Sequence, residues 1–371
     1  MKTPVDAEGS IVGCPACKGT ALRKDGKQYF KNREPRQRWW CLGCGRKTIA
    51  PIVLAEAEFE VTSKSPLEDT PIDELIDLRE KRFSRRTKYR QSQDLINIKM
   101  PSNAPIGIVH FGDPHIDDDG TDIAEIFQLV EMIQKTKGLY AGNVGDLHNN
   151  WIGRLEALYK NQGTTAKEAW RLTEHFIGQV PWLYLVAGNH DLWSGKGDPL
   201  DWIMRTHPGV YDKYQGRLNL CFPNGRKVRI QCRHQFKGNS IYNSAHGVAR
   251  AIRFGQRDHI LTCGHIHVSG YQVLRDPQSG LISHGLQIAS FKKIDDYADR
   301  LGLEDNNIFN APVTIIDPRY EDSDNRLITT IFNAFEGGEY LTWKRSEYES
   351  ASRRRKRSNV SAKGRKKEVG K

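Results

Sequence analysis

The chain has 371 residues, 38% of them hydrophobic, a mean hydropathy of −0.63 and a formal net charge of +11. That length suits one large domain with appendages, or two domains, and excludes a peptide-sized scaffold. No apolar run is long enough to span a bilayer and no secretion-type segment follows Met1, so a soluble, cytoplasmic protein is expected. The positive excess sits in residues 1–50 and 344–371 while the centre is mildly acidic, a distribution suited to extensions that meet a polyanion.

In chain order, residues 1–50 hold four of the seven cysteines, as Cys14-Pro15-Ala16-Cys17 and Cys41-Leu42-Gly43-Cys44. Two such knuckles present four thiolates to one tetrahedral zinc ion, and a shell closed by four sulfurs makes that zinc structural. Cys221, Cys232 and Cys263 stand singly in apolar stretches and read as buried, inert thiols. The segment resembles the zinc ribbons of transposases and transcription-associated proteins, most of all in "RQRWWCLGCGRK". There Arg36, Arg38, Arg46 and Lys47 are placed to contact phosphates and Trp39 or Trp40 to stack on a base, one tryptophan being expected in the ribbon core.

Residues 51–104 read as a basic, partly helical connector, with Ile72, Leu75, Ile76 and Leu78 ahead of a dense Arg/Lys stretch. From 105 to 335 short apolar runs alternate with helical periodicity, which is α/β layering. "IGIVHF", "GLYAGNV", "PWLYLV" and "HILTC" read as strands; "DIAEIFQLVEMIQ", "TTAKEAWRLTEHFIGQV" and "SAHGVARAIRF" read as helices. Hairpins are expected over Asn224-Gly225 and over Asp276 to Gly280. Residues 336–371 read as a basic, disordered tail.

Four polar clusters each follow an apolar strand: "IVHFGDPH", "YAGNVGD", "LYLVAGNHD" and "LTCGHIH". Groups at strand ends of an α/β sheet gather on one edge. Bringing Asp113, His115, Asp146, His265 and His267 together without a cation costs repulsion and desolvation, which bound divalent metals remove. Mixed oxygen and nitrogen donors suit manganese, iron or zinc over magnesium.

The order D-x-H, G-D, G-N-H-D, a lone His and G-H-x-H resembles the calcineurin-like metallophosphoesterases. Asp113-Pro114-His115, Gly145-Asp146, Gly188-Asn189-His190-Asp191, His234 and Gly264-His265-Ile266-His267 carry the pattern. The resemblance implies a two-sheet β-sandwich flanked by helices. It implies one metal on Asp113, His115 and His267 and a second on Asn189, His234 and His265, with Asp146 bridging. Water activated between the ions would attack phosphorus in line. His190 would protonate the leaving oxygen, with Asp191 orienting its ring. His234 is chosen over His246 because it ends the strand "KVRIQCR"; His246 stays open as a rival ligand or substrate contact. His110, His175, His207, His259 and His284 read as structural or surface residues, and Asp117, Asp118 and Asp119 as a solvated acidic loop.

The stretch after the second motif, Leu147-His148-Asn149-Asn150-Trp151, lacks the aspartate–arginine pair of the superfamily's protein phosphatases. It departs too from the DNA-end-processing nucleases, which carry a histidine at the Asn149 position. His148, Asn149 and Arg154 are the candidate substrate contacts. A zinc ribbon, a basic connector and a basic tail favour a phosphodiesterase acting on nucleic acid, DNA first, in a phage or mobile-element setting, with no membrane partner. Two alternatives stand: a small-molecule or cyclic-nucleotide phosphoesterase that docks through the ribbon, and a non-catalytic nucleic-acid-binding scaffold.

Overall fold

Alternation along single strands sets the layers of this chain. The computed structural model describes residues 12–31, 33–49, 51–53, 71–193, 198–295, 302 and 307–368. They fall into two units, one within residues 1–80 and one within 81–371.

In the first unit β1 (Val12–Gly13) is followed by β2 (Leu22–Phe30), β3 (Arg33–Cys41), β4 (Lys47–Thr48) and β5 (Ile52–Val53). β1 pairs antiparallel with β5, and β2, β3 and β4 form a small antiparallel sheet. The knuckles are the turns after β1 and β3. Val12, Cys14 and Cys41 are buried. The expected tryptophan core is not there: Trp39 is half-buried and Trp40 is 37% exposed. Lys24 and Lys47 lie over their rings instead, each 5.8 Å from the centroid, so cations cover faces that a core would have covered. The helix expected in the connector is α1 (Ile72–Gln93), whose Ile72, Leu75 and Ile76 are exposed.

The second unit runs β6 (Ile96–Lys99), β7 (Ile106–Phe111), α2 (Ile123–Lys135), β8 (Leu139–Asn143), a 3-10 turn (Gly153–Asn161), α3 (Ala166–Gln179) and β9 (Trp182–Val186). Next come α4 (Asn189–Leu192), α5 (Pro199–Met204), β10 (Val210–Asp212), β11 (Gln215–Cys221), β12 (Lys227–Arg233), α6 (His246–Phe254) and β13 (Ile260–Cys263). The hairpin β14 (Gly270–Arg275) and β15 (Ile282–Gln287), then β16 (Val313–Ile316), β17 (Ile328–Ile331) and α7 (Ala334–Glu368), complete it.

Two six-stranded mixed sheets result, ordered β10-β9-β8-β7-β16-β17 and β14-β15-β13-β12-β11-β6. β7, β8, β9 and β10 are parallel, so their C-terminal ends share one edge. β12, β13 and β15 do the same in the second sheet. Ile106 and Ile108 of β7 enter a core shared with Leu218, Ile230 and Ile260 of the other sheet. Val109 and Phe111 face the opposite way, into a core built with Ile126 and Leu129 of α2 and Phe176 of α3. On the far side Val248 and Ile252 of α6 pack on Leu261 and Cys263. The period of two thus gives an α/β protein of two mixed sheets face to face with helices outside.

Polar residues also cross the inter-sheet core. His110 Nδ1 lies 2.6 Å from the Tyr184 hydroxyl and its Nε2 2.7 Å from Thr314 Oγ1. Tyr184 reaches Thr262 of the second sheet at 3.1 Å. Burial alone drives the His110 pKa down to about 3, so His110 is a neutral structural residue.

Two boundaries differ from expectation. β6, inside the expected connector, pairs parallel with β11 and closes the second sheet; its alternating Ile96 and Ile98 pack on the inter-sheet core. The expected disordered tail is helical through Glu368. Its first turns bury Ala334 and Leu341, and Lys344 Nζ meets the buried Asp317 at 3.1 Å, contacts that a count of charge per residue does not reveal.

Candidate metal centre

The loops that end β7, β8, β9, β12 and β13 bring all seven expected donors together. Among the described residues of the second unit, three groups have ligand atoms within 4.8 Å of one another: His115–Asp146–His190, Asp146–His234–His265 and Asp113–Asp146–His267. Asp146 belongs to each. His234 Nε2 lies 2.9 Å from Asn189 Oδ1, 3.0 Å from His265 Nδ1 and 3.2 Å from Asp146 Oδ2. His115 Nε2 is 3.2 Å from His267 Nε2, which lies 3.6 Å from Asp113 Oδ2.

These distances bring lone pairs together. His234 Nδ1 lies 2.8 Å from the Val144 carbonyl, where it donates its proton and leaves Nε2 facing three other acceptors. Asp113 Oδ1 is buried without a hydrogen-bond partner. A cation is what such a set of nitrogen and oxygen donors lacks, so the residues fit divalent metal ions. Without one, the protein must use protons. Burial opposes charge on His234, but Asp146 and Asp113 override it and push its pKa up to about 10. Burial pushes Asp113 up to about 8 against the pull of His234, with Asp146 adding to the rise. Burial would raise Asp146 as well, yet His234, His190 and His115 hold it well below the usual carboxylate range. Burial drives His115 far down and His267 to about 4.

Backbone geometry carries the same signature. His115, Asp146, His265 and His267 all have positive φ, between 41° and 75°, a conformation that costs energy and persists where the surroundings enforce it. Gly145, at φ 111°, lets the second loop pass the third: a Cβ there would lie 2.4 Å from the Gly188 nitrogen. A Cβ on Gly264 would stand 2.3 Å from Asp113 Oδ1.

His190 stands at the mouth, its Nε2 3.9 Å from Asp146 Oδ2. Its Nδ1 contacts the Asn149 carbonyl, so that carbonyl orients the ring. The expectation that Asp191 does so is overturned. Asp191 Oδ2 accepts from the Asp146 and Gly188 amides, both at 2.8 Å, and Oδ1 from Leu147 N at 3.0 Å. Asp191 is a brace between the second and third loops, its carboxylate taken up by three backbone donors.

A cavity of about 530 Å³ opens beside the donors. Of the expected substrate contacts, His148 and Asn149 do not line it. His148 is 1% exposed with its ring 4.1 Å from that of Trp170. Asn149 is buried and spends its side-chain amide on Asp118 and Gln162. His246 starts α6 against Gly238, outside the donor groups. The Arg154 side chain lies outside the described residues. Other residues line the cavity instead: Asp118 and Asp119, expected in a solvated loop, with Trp151, Gln162, Trp193 and Lys292. Asp117, far from solvated, is 1% exposed and accepts from Asn149 N and Gln162 Nε2, both at 2.8 Å. Trp151 and Gln162 carry no motif, and only their nearness to the second motif could have marked them.

In the first unit Cys14, Cys17, Cys41 and Cys44 form a group at ligand distance. Cys14 Sγ to Cys44 Sγ is 3.7 Å and Cys17 Sγ to Cys41 Sγ is 3.5 Å, close to the ~3.8 Å edge of a tetrahedron with 2.3 Å metal–sulfur bonds. The Cys17 and Ala16 amides pull the Cys14 thiol down to about 7, favouring the ligating thiolate. Of the expected phosphate contacts, Arg38 and Lys47 are engaged: both lie 2.9 Å from Asp25 Oδ2. Arg36 and Arg46 are exposed.

No described helix is long and apolar enough to cross a membrane. Comparison of the chain with protein-family models and with curated proteins finds no match in either.

Proposed function

We propose that the chain is a metal-dependent phosphodiesterase of the calcineurin-like metallophosphoesterase superfamily that cleaves nucleic acid, DNA in preference. The observation that carries the reading is Asp146: one buried carboxylate shared by every donor group of the second unit, as a bridge between two ions requires.

Two divalent ions, manganese before magnesium given the mixed donors, would activate a water and neutralise charge on the attacked phosphate. Asp113, His115 and His267 would hold one and Asn189, His234 and His265 the other. His190 donates Nδ1–H to the Asn149 carbonyl, which turns Nε2 toward the site; the imidazolium form would carry there the proton for the leaving oxygen. Asp191 fixes the spacing of the loops that carry Asp146 and His190. The four cysteines of the ribbon would hold a structural zinc, and Arg36 and Arg46 would meet backbone phosphates.

The test is turnover by the purified full chain with manganese on single- and double-stranded DNA, RNA, a cyclic nucleotide and a simple phosphodiester, against Asp146→Asn. Cleavage of DNA that the variant lacks supports the reading. Cleavage of small esters alone moves the function to a small-molecule phosphoesterase, and no turnover on any substrate leaves a binding scaffold.

A further inference from the structure

The cavity beside the donors has a chemistry of its own. Its lining is partly apolar, with Trp151, Leu155, Leu158, Trp193, Ile266 and Ile294. Both tryptophans are anchored on His190, with Trp193 4.0 Å and Trp151 5.1 Å from it between ring centroids. Trp151 is held further by Nε1 donating to Gln162 Oε1 at 3.1 Å. The same lining carries Asp118, Asp119 and Asp295 with a single lysine, Lys292. That lysine is already shared, 3.0 Å from Asp118 and 3.4 Å from Asp295.

Such a cavity repels a second phosphate, because its carboxylates outnumber its one lysine. It accepts a flat, uncharged group with hydroxyl or amino donors: the ring packs on tryptophan and the donors face carboxylate oxygens. A volume of about 530 Å³ falls in the range of small-molecule sites, roughly 300–1,000 Å³. We propose that this cavity is a nucleoside subsite that binds the sugar and base attached to the scissile phosphate, with Trp151 and Trp193 as its stacking surface. The inference rests on the phosphodiesterase reading and sharpens it. One nucleoside is drawn out of the strand beside the donors, while neighbouring phosphates stay outside the cavity.

The test uses the full chain with manganese and two diesters that share a leaving group, thymidine 5′-(p-nitrophenyl phosphate) and methyl p-nitrophenyl phosphate. The expected kcat/KM ratio favours the nucleoside ester by about tenfold or more, the worth of one stacked base. Trp193→Ala and Trp151→Ala should collapse that ratio, whereas Trp193→Phe and Trp151→Phe should retain most of it. An unchanged far-ultraviolet circular dichroism spectrum shows that each variant is folded. A wild-type ratio near one, or a ratio unmoved by both alanine variants, overturns the subsite and leaves the phosphodiesterase standing. If neither diester turns over, the phosphodiesterase reading rests on the DNA assay alone. Quenching of tryptophan fluorescence in chelator then decides the subsite: saturable by adenosine and not by ribose supports it, and no difference between the two overturns it.

Discussion

The two units gather donors in opposite ways. In the first, four sulfurs from two turns converge, and among its described residues the buried apolar side chains are Val12 and two of those cysteines, Cys14 and Cys41. In the second, oxygen and nitrogen donors from five loops are forced together by two large sheets, with buried carboxylates and four left-handed backbones among them. A small unit built around four thiolates can draw much of its folding free energy from a bound metal. A large one can spend core stability on holding an unfavourable cluster, as the proposed binding of metal ions would require.

Several experiments break or sharpen that contrast. The largest effect is expected for Asp146→Asn, which should lower metal-dependent diester hydrolysis by more than about 100-fold, the upper cost of losing an outer-shell partner, while leaving the zinc content of the ribbon intact. Cys41→Ser should do the reverse: zinc falls by one equivalent and nucleic-acid affinity drops, yet a small diester is still cleaved. Loss of small-diester turnover in that variant would end the claim of separate tasks.

Asp191→Ala leaves the amides of Asp146, Leu147 and Gly188 without an acceptor. It should cost about 3 kcal/mol or more in chemical unfolding and about 10- to 100-fold in activity; retention of both would remove its role as a brace.

Thermal melts in chelator probe the cluster by pH. His234, raised to about 10, stabilises the fold fully below its unfolded value of about 6.5 and stops doing so as pH climbs through 10. Asp113, raised to about 8, works in the same direction, since its charged form is disfavoured in the fold. Tm of the chelated protein should therefore fall between pH 6.5 and 10, and manganese should flatten the fall; a flat profile in chelator would contradict the electrostatics. The smallest effect belongs to the ribbon surface. Arg36→Ala and Arg46→Ala should each reduce the salt slope of DNA binding by about one, and Arg38→Ala, already paired with Asp25, by less.

Much of the second unit was legible because its signals are periodic or spaced. The strands before each polar cluster, the Asn224-Gly225 turn with Gly225 at φ 88°, and the capping box at Thr165 that starts α3 all follow local rules. His234 could be chosen over His246 because a strand end aims a side chain and a helix start on the outer face does not. What stayed hidden depends on partners without a sequence signature. Asp191 bonds only backbone amides, so nothing in "GNHD" separates a brace from a ring-orienting carboxylate. Asp117, Asp118 and Asp119 read as solvated by composition, yet Asn149 and Gln162 bury Asp117 behind the cavity and Asn149 also holds Asp118, which lines it. β6 is four residues long and pairs with a strand more than a hundred residues away. The tryptophans of the ribbon misled for the converse reason: with sulfurs at its centre, that unit has no need of a ring.

The hydrogen-bonded chain from Thr314 through His110 and Tyr184 to Thr262 acquires a meaning from where the donors arise. Asp113, Asp146 and Asn189 hang from one sheet, and His234, His265 and His267 from the other. Aliphatic side chains between the sheets tolerate slippage, because dispersion has no preferred direction. A phenol hydroxyl 3.1 Å from a threonine on the facing sheet does not. Tyr184 thus works as a dowel that sets the alignment of two halves of a vice, and the jaws of that vice are the donor loops.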